Sequence, residues 1–510
     1  MLRRDWPLAG LAGTIAMLAA GPAAAQSASA QELSELRDQV QALQRKIQQL
    51  EGRVAKTDKN AATPPSTNVI ASKAPPPAPT AVVKMSPEHR PSICTPDNLN
   101  CVGLALLMQV DVGGYRYRPN SAATVPQRLD TGLNSRRARL GLVGTFLGDW
   151  NYALIYDFGG NSDGFGGTAS GGIALLPGGG TSGIEVASVS YTGLKPFAIE
   201  GGYGSLPWTL DQATPASDLL FMERASSNTV ATSIAAGDFR SFAGIRGWDD
   251  RLFTLVYFTG PQSGAIHADP TGPAGSISAK EQYGTIGRLT YQLLADKYYS
   301  LHVGGDVEAL LRPPVNATTG AQTLTLNDRP ELRIDPTSIL TTGAIANVAH
   351  AEVYEAEGAA TYGPLFFQGE YFWYNIDRQF GLPSLDFQGG YAAASWTLTG
   401  ETHAYIPAAG AYARIMPVAP FSLGSGGWGA WELAARYSVI NLNDQLGLKA
   451  GAAGGDQSIW TFGLNWYVNS NIRLVFNYLH GSIAKQVSPV VPTNAGAKFD
   501  AVGMRTQVAF

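Results

Sequence analysis

The chain has 510 residues, 15% of them charged and 10% aromatic, with 59 glycines and a formal net charge of -4. That composition excludes a disordered chain and is far from that of an ordinary helical enzyme. The acidic balance argues against nucleic acid as a partner, since phosphate backbones select basic surfaces. At the N-terminus, "MLRRDWPLAGLAGTIAMLAAGPAAAQ" places Arg3 and Arg4 before an apolar run from Leu8 and ends on Ala23, Ala24 and Ala25. A basic start, a short apolar stretch and a small-residue site predict a secretory signal peptide over 1–25. The run falls short of the ~20 apolar residues of a spanning helix.

In "QELSELRDQVQALQRKIQQLEGRV", the residues Leu33, Leu36, Val40, Leu43, Ile47, Leu50 and Val54 alternate spacings of three and four, the a and d positions of heptads. A helix packed on a globular domain would show a broader apolar stripe. A self-associating coiled coil is therefore expected over 26–56, on the periplasmic side. Its a/d chemistry leans towards two strands. Residues 57–103 read as a Pro/Ala-rich extended linker. It carries Cys94 and Cys101, the only two cysteines, and in a secreted chain these predict a local disulfide.

From 104 to 510 the pattern changes to period two. "NYALIYDF" sets Tyr152, Leu154, Tyr156 and Phe158 against Ala153, Ile155 and Asp157, and "IRLVFNYLH" sets Ile472, Leu474, Phe476 and Tyr478 against Arg473, Val475 and Asn477. Aromatics gather near strand ends, as Trp150, Tyr152, Trp466 and Tyr467 do. Short turns such as "LGDW", "GLKP" and "VNSN" alternate with long loops at 160–182, 206–237, 261–280, 311–344 and 482–498. These features predict an all-β fold: a transmembrane antiparallel β-barrel of about 16 strands, in a bacterial outer membrane. Closure leaves no unpaired edge in lipid. The stretch 401–427 is an exception, being long where a short turn is due. The last strand ends on Phe510, which alternation places on the lipid face.

The segments "RRARLGLVGTFLGDWNYALIYDF", "DLLFMERA", "GIRGWDDRLFTLVYFTG", "SWTLTGE", "WELAARYSVINLND" and "GLNWYVNSNIRLVFNYLHG", with the C-terminal strand, resemble the phosphate-selective porins of the O and P type. The resemblance spans 104–510. It implies a trimeric outer-membrane channel with arginines along the pore and a third external loop, here 206–237, folded in to narrow it. It also implies a counterpart of 401–427 after "LTGE".

Alternation turns Arg137, Arg139, Arg288, Arg436, Arg473 and Arg505 inward, and the resemblance puts Arg224 on the constricting loop. Arginine suits an anion path because its planar fork offers several donors to an oxyanion and stays charged. Of these, Arg137, Arg139, Arg224, Arg288, Arg436 and Arg473 are the expected anion-binding pore residues. Inward acids, among them Asp111, Asp157, Glu185, Asp306, Glu308, Glu370 and Glu432, offset them. Acidic side chains outnumber basic ones over 104–510. The expected function is passive diffusion of small hydrophilic solutes, anions such as phosphate foremost, by a homotrimer among outer-membrane lipids. The alternatives are a porin without selectivity or with another substrate, and a structural tether reaching the cell wall through the coiled coil. The six His are scattered, so no enzyme is expected, nor any cofactor or metal.

Overall fold

A computed structural model describes residues 81–86, 90–120, 129–159, 183–235, 239–262, 282–315, 320–424 and 426–510. The expected signal peptide (1–25), the coiled coil (26–56) and most of the linker lie outside the described residues. Sixteen of the described strands form the wall. They are β1 (Cys101–Pro119), β2 (Gly132–Phe146), β3 (Trp150–Asp157), β4 (Gly183–Leu194), β5 (Phe197–Gly204), β6 (Arg240–Trp248), β7 (Leu252–Gln262) and β8 (Tyr283–Ala295). Then follow β9 (Tyr299–Arg312), β10 (Val348–Tyr362), β11 (Leu365–Arg378), β12 (Leu385–Thr397), β13 (Ala430–Asp444), β14 (Ala452–Tyr467), β15 (Ile472–Ala484) and β16 (Ala497–Ala509).

Each wall strand pairs antiparallel with its sequence neighbours, and β16 closes the ring on β1 with Met504 opposite Val112. The last residue belongs to this seam: the Leu106 and Phe510 backbones exchange hydrogen bonds of 2.8 and 3.0 Å. Closure leaves no unpaired edge between the first and last wall strands, as hydrocarbon requires.

Polarity is inverted relative to a water-soluble protein. Val110, Leu154, Val256, Phe258, Leu289, Trp373, Trp460 and Val502 are exposed, whereas Gln109, Asp111, Arg288, Glu308, Glu432 and Arg505 are buried. An apolar outer face suits a bilayer, and the period of two carries it around the ring. Aromatic pairs cluster at the end with the short turns: Trp150 with Tyr191 (4.9 Å between centroids), Tyr299 with Tyr362 (5.1 Å) and Trp431 with Trp466 (5.1 Å). They form the girdle expected at a membrane interface.

The structure departs from the sequence reading in three places. The end of the linker is not simply extended: Val82–Met85 pairs with Pro91–Cys94, and the latter with the start of β1. The disulfide between Cys94 and Cys101 fastens that strand to β1. Phe510 follows the outward parity of Val502 and Met504, yet it is half-buried and borders an internal cavity. Finally, the loop expected to fold in at 206–237 does so, but it is joined in the lumen by two further segments. An insert over 205–235, with helices α1 (Leu210–Ala213) and α2 (Ser226–Thr232), folds in after β5. A hairpin of Thr323–Asp328 with Leu340–Ala346 follows β9. The exceptional stretch between β12 and β13 enters from the short-turn end, where Ala409 and Gly410 reach Arg288 in the wall.

These inserts give the barrel an internal apolar core. Leu206, Trp208, Val230 and Ile234 pack on Phe253, Leu255, Tyr257, Ile286, Leu310 and Phe372 of the wall. The inward face of β7 is therefore apolar, because an insert rather than water lies against it. A cavity remains beside β1–β4.

Candidate functional site

Beside the inserts lies a cavity of about 810 Å³ bordered by β1 to β4, α1 with the residues after it, and the stretch between β12 and β13. Arg90, Arg137, Arg139, Arg224 and Arg414 line it, against the carboxylates Glu185 and Asp218.

Four of the five arginines are held by identified partners. On β2 the register jumps from Gln109–Arg137 to Val110–Ser135, leaving Arg136 as an extra residue. Such a bulge re-aims a side chain, and here Arg136 and Arg137 are both buried. The Arg137 guanidinium donates to Gln109 Oε1 at 2.7 Å. Arg139 Nε donates to Asp157 Oδ2 at 3.0 Å, and its Nη2 meets Glu185 Oε1. Arg224 donates to the carbonyls of Asp211 (2.9 Å) and Thr214 (2.8 Å), which fixes it on the insert without neutralising it through those contacts. Arg414 pairs with Asp218 at 2.7 Å.

Behind the cavity wall lies a charged hub centred on Glu223. Arg136 donates to both of its oxygens, at 2.7 and 3.0 Å, and Arg505 to one at 2.7 Å. Arg505 also makes a two-bond fork with Asp111, at 2.7 Å for each bond. Burial acts to raise the Glu223 pKa, but the guanidinium groups of Arg136 and Arg505 outweigh it and hold the carboxyl well below its ordinary value. The hub ties the insert to β2 and β16.

Arg288, Arg436 and Arg473 occupy the inner face that alternation assigns them, but the inserts cover them and none borders the cavity. Arg288 donates to the carbonyls of Ala409 (2.9 Å) and Gly410 (2.8 Å) and to Glu357 (2.8 Å). Arg436 reaches Glu331 at 2.7 Å and the Glu223 carbonyl at 2.9 Å. Arg473 reaches the carbonyls of Ser217 and Leu220, at 3.4 Å each. The physical reason is that an irregular insert in a lumen carries backbone carbonyls without partners, and an arginine brings five donors. Two cavity arginines, Arg90 and Arg414, were not among those singled out from the sequence. Arg414 had a signal in the anomalous length of 401–427, while Arg90 had none in the composition of the linker.

Residues 102–510 match the family described as phosphate-selective porin O and P. The chain belongs to that family. An uncharacterized protein of Caulobacter vibrioides is 26% identical over 501 residues, covering 92% of this chain and 90% of the relative. Porin O of Pseudomonas aeruginosa is 24% identical over 376 residues, covering 69% of this chain and 76% of the relative. Among solved structures, OmpT of Vibrio cholerae, folded in vitro, is 12% identical with a TM-score of 0.45, covering 80% of this chain and 98% of its own. Family membership and the closed 16-stranded barrel make this porin a diffusion channel of the outer membrane rather than an enzyme.

Proposed function

We propose that the porin passes small hydrophilic anions, phosphate-sized oxyanions included, along the cavity beside β1 to β4. The observation that carries this reading is the lining: five arginine side chains against the side-chain carboxylates of Glu185 and Asp218 in a cavity of about 810 Å³. Fixed positive charge in a narrow, low-dielectric passage replaces part of the hydration an anion loses there. Arg137, Arg139 and Arg224 are the anion contacts, joined by Arg90 and Arg414. Arg288, Arg436 and Arg473 serve anions indirectly, by fixing the inserts that shape the path. Glu185 and Asp218 temper the field, so the selectivity is a preference for anions rather than strict exclusion of cations.

The N-terminal regions complete the proposal. Residues 1–25 direct export and are removed, and 26–56 form a periplasmic coiled coil ahead of the linker and the barrel. The heptads from Leu33 to Val54 support self-association, and the family resemblance supports three copies. In this reading the same helix also contacts the cell wall.

The test is a reversal potential in a planar bilayer under a salt gradient. An anion-selective sign supports the reading. A zero potential rejects it and leaves a non-selective porin, and a cation-selective sign rejects it and leaves a porin for another class of solute.

A further inference from the structure

On the far side of the lumen from the cavity, three carboxylates converge on the inner wall. Asp306 on β9 stands directly opposite Glu355 on β10, and Glu357 lies two residues further along the same face, opposite Gly304. One oxygen from each of the three lies within 4.8 Å of the others. All are buried: Asp306 is 7% exposed, Glu355 5% and Glu357 6%. Gly304 makes room for the group, since a Cβ there would stand 2.6 Å from Glu357 Oε1.

The local charge does not close. Arg288 lies at 2.8 Å from Glu357 Oε1 and 3.8 Å from Asp306 Oδ1. His302 Nε2 meets the same Glu357 oxygen at 2.8 Å. Arg288 also serves three backbone carbonyls, those of Pro207, Ala409 and Gly410. Glu357 Oε2 and both oxygens of Asp306 and of Glu355 are buried and receive no hydrogen bond from an N–H donor among the described residues. With all three acids ionised, Arg288 and His302 do not offset them, and a covered pocket needs a bound cation or shared protons to balance the charge. Leaving it unpaired there is costly.

We propose that Asp306, Glu355 and Glu357 bind a hard divalent cation, with Ca²⁺ the best fit. The donors are all oxygen, which suits Ca²⁺ and Mg²⁺ and disfavours metals that select nitrogen or sulfur. Ca²⁺ fits better because it accepts irregular geometry and mixed carboxylate modes, whereas Mg²⁺ demands a near-ideal octahedron. Water completes the shell.

The position gives the ion a structural consequence. Arg288, beside it, holds Ala409 and Gly410 of the segment entering from the short-turn end. Glu370, on the next strand, accepts a hydrogen bond from the Asp211 amide at the start of α1 (3.0 Å). The cation therefore braces the part of the wall on which two inserts dock, and it sits apart from the proposed anion path.

The experiment uses the full chain refolded in detergent without lipopolysaccharide, whose phosphates also bind Ca²⁺, and stripped with a chelator. Calorimetric titration with CaCl₂ should show one saturable site per chain, together with a higher unfolding temperature. Glu355→Gln should weaken that binding at least tenfold, and Asp306→Asn should do the same where the first variant does not refold. Glu352→Gln, which sits on the opposite face of β10 from the cluster, should bind as the unaltered protein does. Absence of saturable Ca²⁺ binding, or undiminished binding in the folded Glu355→Gln or Asp306→Asn protein, would overturn the proposal. Saturable binding of Mg²⁺ but not Ca²⁺ would overturn the choice of ion.

Discussion

Arg139 and Asp157 stand directly opposite each other on β2 and β3, and the guanidinium donates to the carboxylate at 3.0 Å. Asp157 also accepts from the amides of Ala138 (3.0 Å) and Gly159 (2.8 Å), so it organises the strand end as well as the arginine. Glu185 meets the other side of the same guanidinium. The charge of Arg139 is thus shared between two acids at the cavity wall.

Asp157→Asn should raise anion preference, but only in part, because Glu185 remains. Adding Glu185→Gln should raise it further. Arg137 donates to the neutral amide of Gln109, and Arg137→Ala should lower anion preference. Reversal potentials of the three proteins in one salt gradient check this. Identical potentials would place the selective point elsewhere in the barrel.

Glu223 is the keystone of the insert that follows β5. Glu223→Gln leaves Arg136 and Arg505 buried with weakened partners, and losing one member of a buried ion pair costs about 3–5 kcal/mol. That cost falls on insert docking rather than on the barrel ladder, so the variant should show noisier and larger single-channel currents with an unchanged barrel circular dichroism spectrum. The pH dependence follows from the same contacts. A carboxyl held below its ordinary pKa contributes stability in full above that ordinary value and loses it as pH falls towards the lowered one. Single-channel noise should therefore stay constant from neutral pH down to about 5 and grow only in stronger acid.

The segment between β12 and β13 fills lumen, with His403 bonded to Glu432 at 2.7 Å and Tyr405 packed on Tyr412. Replacing residues 404–413 with a short glycine-containing turn should widen the path and raise unitary conductance. It also strips carbonyl partners from Arg288, so the barrel should unfold at lower temperature than the unaltered protein. Unchanged conductance would mean that the narrowest point lies at the insert carrying Arg224.

Much of the barrel was legible because membrane strands obey a strict period: parity alone placed Arg137, Arg139, Arg288, Arg436, Arg473 and Arg505 on the inner face. The tight "LGDW" turn between β2 and β3 holds the register that brings Arg139 opposite Asp157. Parity fails where the backbone does. Arg136 points inward only because of the bulge opposite Gln109 and Val110, and no residue type announces that bulge. Tertiary cover was equally hidden. Whether an inward arginine meets water or an insert depends on how irregular segments fill the lumen, and these lack the periodicity that makes strands readable. The same holds for Phe253, Leu255 and Tyr257, whose apolar inner positions make sense only against Trp208 and Ile234.

Phe510 belongs to the seam that closes the barrel. Its backbone pairs with Leu106, so the terminal residue is part of the β16–β1 seam rather than a frayed end. An alanine keeps those backbone bonds and removes only the ring, which separates closure from recognition. Phe510→Ala should therefore refold in detergent to a barrel of nearly unchanged unfolding temperature, with conductance close to that of the unaltered channel. In cells it should reach the outer membrane in reduced amount, because a terminal aromatic on an alternating strand is an exposed handle before the seam is made and is covered afterwards. Surface quantity against single-channel conductance is the measurement. Equal surface amounts would assign the ring to the seam alone, and a channel that assembles normally but conducts differently would assign it to the cavity it borders.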